Sequence, residues 1–183
     1  MKRKLLVLSV AAICLAIIAA GTLAYFNAED KAHNVITAGG INIAVNEWAD
    51  EEKTQPFEDR EGIMPGNVVT KIVEVENTGA NEAWVRVKFT VNIALAGDGE
   101  ADPILIHLAI NDEKWIDGGD GYYYYSEPLA PGETTSEALS SVSFDKTMGN
   151  EYQGATATVD VEAEAVQTAN NGASATEAAG WPE

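Results

Sequence analysis

A strict two-residue alternation constrains this chain more than any other feature. From Ala83 to Leu95 every odd-numbered residue is apolar, and the even-numbered residues are mainly polar or charged. A β-strand directs successive side chains to opposite faces, whereas a helix would spread the same residues around its whole circumference. The segment is therefore predicted to be a strand with one buried face and one face toward water. Trp84 is the exception on the face toward water.

Five further segments repeat this alternation, which makes the chain all-β. They lie at 41–45, 69–75, 104–110, 138–144 and 155–165. Residues typical of turns separate these segments, among them Pro65-Gly66, Asn77-Thr78-Gly79, Gly97-Asp98-Gly99 and Pro131-Gly132. Short strands joined by such turns predict an antiparallel β-sandwich of jelly-roll type, with an immunoglobulin-like sandwich as the alternative.

The charge of the chain restricts its partners. It contains 29 Asp and Glu residues against 11 Lys and Arg residues, for a net charge of −18. Binding to nucleic acid is excluded, because it requires a basic face that neutralises phosphates. The single cysteine, Cys14, also excludes a disulfide framework and a zinc site built from cysteines.

The N-terminus has a composition of its own. Three basic residues at 2–4 precede an apolar run at 5–20. This order is typical of a secretory signal peptide. We expect residues 1–24 to be removed by cleavage between Ala24 and Tyr25, so that the chain contacts the membrane only during export. The alternative is an N-terminal anchor that is not cleaved.

Cleavage at this position would produce a secreted chain. Removal of 24 of the 183 residues, three of them basic, leaves 159 residues with a net charge of −21 and no cysteine. We divide this chain into a mature N-terminal segment at 25–38, a β-sandwich domain at 39–168 and a low-complexity tail at 169–183. The tail consists mostly of small and polar residues, a composition that cannot build a core.

The sequence offers little for catalysis. His107 is followed by Leu-Ala-Ile-Asn rather than by the remainder of an H-E-x-x-H zinc motif, and no glycine-rich phosphate loop occurs. We therefore predict a protein that is not an enzyme, with no catalytic residue, no metal ligand and no cofactor. Calcium is the alternative, because acidic residues that could ligate it cluster in two loops: Asp98, Glu100 and Asp102, and Asp117 and Asp120.

Four consecutive tyrosines form an unusual motif: Tyr122, Tyr123, Tyr124 and Tyr125. On a strand, two rings would face each side of the sheet. One interpretation is an aromatic contact face for a sugar or for another subunit. The other is a strand that is buried on one side and half-covered on the other.

Several short motifs resemble the TasA/camelysin family. The most specific is the N-terminal block, where residues 21–27 read GTLAYFN and residues 34–43 read NVITAGGINI. The pieces Met64-Pro65-Gly66-Asn67, Glu76-Asn77-Thr78-Gly79 and Tyr152-Gln153-Gly154 resemble later steps of the family pattern. The resemblance implies a secreted, jelly-roll-like protein of a Gram-positive biofilm matrix, processed by a dedicated signal peptidase of the SipW type.

The resemblance also implies assembly into fibres. In such fibres the mature N-terminus of one subunit adds as a strand to the next, and a head-to-tail contact that does not close produces a filament. The candidate donor strand is residues 25–36, with Tyr25, Phe26, Val35 and Ile36 as its anchors. The expected partners are other copies of the chain, together with other matrix proteins or polysaccharide.

Two other functions remain open at this stage. The first is an accessory or adhesion module of the matrix. The second is a camelysin-type metallopeptidase, an activity described for members of the family, although this sequence shows no zinc-ligand spacing.

Overall fold

The computed structural model describes residues 34–37, 40–58 and 64–182. Within them the chain forms nine strands and three single 3₁₀ turns, and no described helix is long and apolar enough to cross a membrane. The strands are β1 (Asn34–Thr37), β2 (Ile43–Trp48), β3 (Val68–Asn77), β4 (Ala83–Ala94), β5 (Ile106–Ile110), β6 (Trp115–Asp117), β7 (Tyr123–Tyr125), β8 (Leu139–Phe144) and β9 (Thr156–Gln167). The 3₁₀ turns are Pro103–Leu105, Asn150–Tyr152 and Ala175–Glu177. The prediction of an all-β chain is confirmed.

The strands form two sheets that pack face to face. Sheet A has the order β1-β9-β4-β7-β6, and sheet B has the order β2-β3-β8-β5. Among the described strands every pair is antiparallel except β1 with β9. β1 leads into β2 of the other sheet, so no hairpin turn sets its direction beside β9. The predicted antiparallel sandwich is confirmed, with this parallel edge strand as a difference.

The strand order is that of a jelly roll rather than of an immunoglobulin-like sandwich. The chain changes sheets at most of its connections, and only β2–β3 and β6–β7 are successive strands of one sheet. In an immunoglobulin-like sandwich the last two strands lie in the same sheet. Here β8 and β9 lie in opposite sheets, which favours the interleaved jelly-roll arrangement.

The core lies where the alternation predicts it. Val85 and Val87 of β4 are fully buried between the sheets, as are Ala163 and Ala165 of β9. Trp115 belongs to the same cluster of buried residues. The cluster thus combines small side chains on β9 with large aromatic ones on β6 and β7, as close packing of an interior requires.

The outer face of sheet B is less exposed than the alternation predicts. Glu74 was expected to face water, but it is only 7% exposed. The chain at and after the end of β2 covers it, because Lys53 Nζ lies 2.6 Å from its Oε2 and Trp48 Nε1 donates to its Oε1 at 3.2 Å. These partners offset the desolvation of a carboxylate, which would be costly for an unpaired charge.

A fully buried asparagine ends β3. The Nδ2 group of Asn77 donates to the carbonyl oxygens of Asn81 and Leu129, each at 2.8 Å, and its Oδ1 accepts from the N–H of Gly79 at 3.0 Å. A Cβ at Gly79 would lie 2.8 Å from the backbone nitrogen of Asn42, so this position requires glycine. The turn after β3 therefore fastens separate segments of the chain together.

Replacing Asn77 with Ala should lower the free energy of unfolding by about 3 kcal/mol, because this fully buried side chain makes three hydrogen bonds that alanine cannot replace. Urea denaturation followed by tryptophan fluorescence measures this change. Asn92→Ala is the control, because the exposed Asn92 amide bonds only to Asp160. The control should change stability by less than about 0.5 kcal/mol. Equal losses in the two variants would contradict the role given to Asn77.

Candidate functional site

In sheet A the long strands β4 and β9 have further strands beside them only toward one of their two ends. β4 and β9 pair along their whole length, from Ala83 opposite Gln167 to Ala94 opposite Thr156. On the far side of β9, β1 pairs only with residues 162–165. Within the described residues no strand pairs with the outer edge of β9 from Thr156 to Val161, which we call the β9 edge. Unpaired N–H and C=O groups along a strand form a template for another strand.

The described end of the segment predicted to be the donor strand pairs with β9 next to this edge. Val35 and Ile36 belong to β1, where they are in register with Ala163 and Glu164. The remaining predicted residues lie outside the described part of the chain: the anchors Tyr25 and Phe26 and the cleavage position after Ala24.

The core beside the β9 edge is partly open. Val91, Ile93 and Val159 face the interior here but are only partly buried. A small apolar cleft of about 20 Å³ lies at this end of the sandwich, with Ile93 and Met148 in its lining. A cleft of this volume holds about one water molecule, whereas small-molecule sites take several hundred Å³. This cleft is therefore too small to hold a small-molecule ligand.

A charged group stands at the opposite end, on the outer face of sheet A. Arg86 donates from Nε to Glu164 Oε2 at 2.7 Å and from Nη1 to the Tyr124 hydroxyl at 3.0 Å. Its guanidinium carbon lies 3.9 Å from the ring centre of Tyr122 and 4.6 Å from that of Trp181. These distances are typical of cation–π contacts. We call these five residues the Arg86 cluster.

The Arg86 cluster pairs its charge internally. Burial opposes the charge on Arg86, but its hydrogen bonds to Tyr124 and Glu164 outweigh burial and raise the pKa of the guanidinium group. Burial also raises the pKa of the Tyr122 and Tyr124 hydroxyls. At neutral pH the arginine therefore stays charged and the tyrosines stay neutral. The positive charge of Arg86 therefore stays paired with the buried Glu164 carboxylate.

The four tyrosines project alternately to the two faces of sheet A. Tyr123 and Tyr125 face the core, where the ring centre of Tyr125 lies 5.1 Å from that of Trp115. Tyr122 and Tyr124 belong to the Arg86 cluster on the outer face. Tyr124 and Tyr125 are each 7% exposed, and the other two are half-buried. All four rings thus have contacts within the chain, as in the interpretation of a strand buried on one side and half-covered on the other.

The C-terminal segment packs against the outer face of sheet A, although its composition predicts no core. Ala175 is only 2% exposed, and Trp84 Nε1 donates to the carbonyl oxygen of Gly172 at 3.1 Å. The ring of Trp181 meets that of Tyr124 edge-on, with centres 5.7 Å apart. This cover explains why Trp84, the exception in the alternation of β4, is buried.

The acidic loops use their carboxylates to close turns. Asp102 Oδ1 accepts from the N–H of Ile104 at 3.0 Å, and Asp117 Oδ1 accepts from the N–H of Gly119 at 2.8 Å. Such turns use short polar side chains to bond their own backbone. Calcium binding by these loops stays a prediction.

A site for a metal ion would need several ligands in one place. The described residues contain no group of three His, Cys, Asp or Glu side chains that could hold a metal ion. His107 Nε2 lies 3.1 Å from Asp145 Oδ2, which makes one pair. Hydrogen bonds from the backbone and hydroxyl of Thr147, followed by that from His107, lower the pKa of Asp145 to about 2. His33 lies outside the described residues.

Replacing Glu164 with Ala should lower the free energy of unfolding by about 3 kcal/mol, because the buried Arg86 would lose its close carboxylate and keep only the more distant Asp120, whose Oδ2 lies 3.9 Å from Nη1. Urea denaturation of the two purified proteins measures the difference. Glu162→Ala is the control, since Glu162 lies two residues away on the same face of β9 but is half-buried. Its effect should stay below about 1 kcal/mol. A larger loss in the control would contradict this account of the cluster.

Comparison with known proteins places the chain in a family. No curated protein and no solved structure matches it. A family model described as camelysin metallo-endopeptidase matches residues 1–115. The match covers more than half of the 183 residues and includes the N-terminal block and the turn motifs at 64–67 and 76–79. The predicted resemblance is confirmed, and the chain belongs to the camelysin metallo-endopeptidase family.

Proposed function

We propose that this protein is a secreted structural protein of the extracellular biofilm matrix, which assembles into fibres by head-to-tail addition of its mature N-terminal strand. The observation that supports this most directly is the β9 edge. β9 has twelve residues, and among the described residues its outer side is paired over only four of them. The occupant is β1, which lies within the segment predicted to be the donor strand.

The pairing of β1 with β9 makes an exchange between subunits inexpensive. A donor strand from a neighbouring subunit that replaced β1 would form the same four register pairs. Exchange of an identical element therefore costs little in contacts. Extension of the donor along the β9 edge would add backbone hydrogen bonds that β1 does not make within the described residues. Assembly would thus gain pairing without losing any.

Export precedes assembly in this proposal. Residues 1–24 direct secretion, and a dedicated signal peptidase of the SipW type cuts between Ala24 and Tyr25. The cut releases the new N-terminus at Tyr25, the first residue of the donor strand. Outside the cell the fibre would also meet other matrix proteins or polysaccharide.

The activity named for the family, that of a metallo-endopeptidase, requires a set of metal ligands. A catalytic zinc ion in a protease is held by three protein ligands and keeps one open position. The described residues do not fit this requirement, because His107 and Asp145 pair without a third ligand. This geometry favours a structural role. Zinc analysis with a casein assay tests the choice, and stoichiometric zinc with chelator-sensitive cleavage would favour the peptidase.

Strand addition can be tested with a disulfide between subunits. Asn34 and Glu162 are opposite each other in register, and the chain from Tyr25 onward has no cysteine of its own. We expect Asn34→Cys protein mixed with Glu162→Cys protein to form filaments in which neighbouring subunits are linked by disulfides. Each protein carries only one of the two introduced cysteines, so a disulfide between positions 34 and 162 can only connect two subunits. Electron microscopy and non-reducing gel electrophoresis provide the readout.

The matched control mixes Asn34→Cys with Thr158→Cys, which lies four residues away on β9. This pair should not link, because its Cα atoms would be too far apart for a disulfide. Filaments without a link between positions 34 and 162 would contradict strand addition at β9. A protein that stays monomeric and binds another fibre would instead favour the accessory module.

Mild acid should accelerate assembly. Ordinary carboxylates titrate at about pH 4, so lowering the pH from about 7.5 to about 5 begins to reduce the repulsion between subunits. The pKa values of Asp120 and Asp145 are lowered from 3.8 by their hydrogen bonds with Tyr124 and Thr147, respectively. Their contribution to stability is present above pH 3.8 and is lost only as the pH falls through the lower folded values, so these two carboxylates do not destabilise the fold at pH 5.

Light scattering during assembly measures this effect. About 0.5 M salt at neutral pH should act in the same direction, because it screens the repulsion between exposed charges. Slower growth in both conditions would contradict the electrostatic argument.

A further inference from the structure

β5 forms the outer edge of sheet B and lacks the features that protect an edge strand. It reads Ile-His-Leu-Ala-Ile, without proline and without Lys, Asp or Glu. Among the described strands only β8 pairs with it. The β-bulge between these strands has its extra residue in β8. From Leu108 to Ile110 β5 advances by two residues, whereas the paired stretch of β8, from Val142 to Leu139, spans three. Regular, uncharged edges of this kind are the ones that pair with another chain.

The other edge of sheet B is covered. The loop after β2 returns along that strand, where the N–H of Phe57 donates to the carbonyl oxygen of Glu47 at 3.0 Å and Pro56 forms a bridge with Trp48. The edge strands of sheet A are short, with four residues in β1 and three in β6. β5 is therefore the least protected of the described edge strands.

The direction of the backbone groups in β5 follows from two hydrogen bonds beyond its ends. The N–H of Asp145 donates to the carbonyl oxygen of Leu105, and the N–H of Asn111 donates to the carbonyl oxygen of Ala138. Odd-numbered residues of this segment therefore bond toward β8. In an antiparallel pair the direction alternates along the strand, so the even-numbered residues of β5 direct their N–H and C=O groups away from the sheet.

These outward groups belong to Ile106, Leu108 and Ile110. The N–H of Ile106 turns back to the carbonyl oxygen of Pro103. No turn or loop hydrogen bond in the described chain reaches the N–H or C=O groups of Leu108 or Ile110. Leu108 and Ile110 thus each present a donor and an acceptor at the edge, and Ile106 adds an acceptor.

Charge favours this edge as a place where two copies can approach. Residues 103–111 contain no acidic side chain, in a chain that has 29 acids among 183 residues. Two molecules with a net charge of −18 repel each other, so an approach along an acid-free segment is opposed least. Apolar surface lies there too, since Ile104 is 71% exposed and Leu108 is only half-buried.

We propose that two copies of this chain pair β5 with β5 in antiparallel orientation, about a two-fold axis at Leu108. The strand is self-complementary in this register. Ile106 lies opposite Ile110 of the second copy, and His107 lies opposite Ala109, so that no two histidines face each other. The outward groups then form four hydrogen bonds: two between the Leu108 residues, and two from Ile110 N–H groups to Ile106 carbonyl oxygens.

This contact is independent of the proposed strand addition at β9, because it uses the other sheet. An interface built on five residues is small, so a single pair associates weakly in dilute solution. Along a fibre the same contact would repeat and gain strength through multivalency. The β5 edge would then join fibres side by side.

Cysteine variants of the full chain test the register. His107 and Ala109 are both exposed, so replacing either leaves the core intact. In a Cys14→Ser background, we expect a mixture of His107→Cys and Ala109→Cys proteins to form a disulfide dimer under mild oxidation. Each variant alone should yield at least tenfold less dimer, because equal positions are offset across the two-fold axis. Non-reducing gel electrophoresis and mass spectrometry of the linked peptide measure the yield.

Three results would overturn the proposal. The first is a dimer that forms as well from one variant alone as from the mixture. The second is the absence of any linked dimer at high protein concentration. The third is a link from Ala109→Cys to Asn34→Cys, which would make the N-terminal strand, rather than a second β5, the occupant of this edge.

A charge comparison at the same positions tests the pairing without cross-linking. In the His107→Lys/Ala109→Lys variant the lysine at position 107 of each copy faces the lysine at position 109 of the other copy. In His107→Lys/Ala109→Glu each lysine faces a glutamate instead. Both variants carry a lysine at position 107, beside Asp145, and they differ only at residue 109. Analytical ultracentrifugation should show a dimer dissociation constant about tenfold higher for the first variant than for the second. Equal constants, or the reverse order, would overturn the register.

Discussion

The antiparallel pairing of β4 with β9 is the interaction on which the rest of the structure depends. Both strands contribute twelve residues, and they lie side by side inside sheet A. Their inner faces supply the most deeply buried part of the core, with Val85 opposite Ala165 and Val87 opposite Ala163. Their outer faces place Arg86 opposite Glu164, where the ion pair is formed. The same register therefore sets the hydrophobic packing on one side and the charge pairing on the other.

The two ends of the β4–β9 pair have different surroundings, and the difference bears on where the molecule could contact partners. At one end the C-terminal segment and the outward tyrosine side chains next to and in β7 cover the outer face, and the charges of the Arg86 cluster are paired there. At the other end β4 and β9 continue beyond β7 and β1, and the residues between the sheets are only partly buried. The described residues contain no group of three His, Cys, Asp or Glu side chains that could hold a metal ion. Both contacts that we propose lie at strand edges, where unpaired backbone groups can form hydrogen bonds with another strand.

Much of the fold could be predicted because alternation is a local property. The strands near Ile43, Val73, Val85 and Val161 lie where the pattern indicates, and their inward residues are buried. The sandwich followed from the number of strands and the turns between them, whereas the choice of a jelly roll over an immunoglobulin-like sandwich required the strand order of the structure. The predicted donor anchors Val35 and Ile36 lie in a strand at the edge of sheet A, whereas no pattern in the sequence indicated that β1 runs parallel to β9. Strand direction at an edge without a hairpin depends on which strands happen to be neighbours.

The sequence by itself determined which side chains of each strand share the face toward the core, because a side chain in a strand can point to only two sides. Only the tertiary structure decided which of the outward faces stay in water. Glu74, Trp84, Arg86 and Glu164 all occupy positions that alternation assigns to solvent, yet each is at most 9% exposed. They are buried by segments distant in sequence or by side chains from other strands. Burial on an outer face depends on such long-range contacts, and a local pattern carries no information about them.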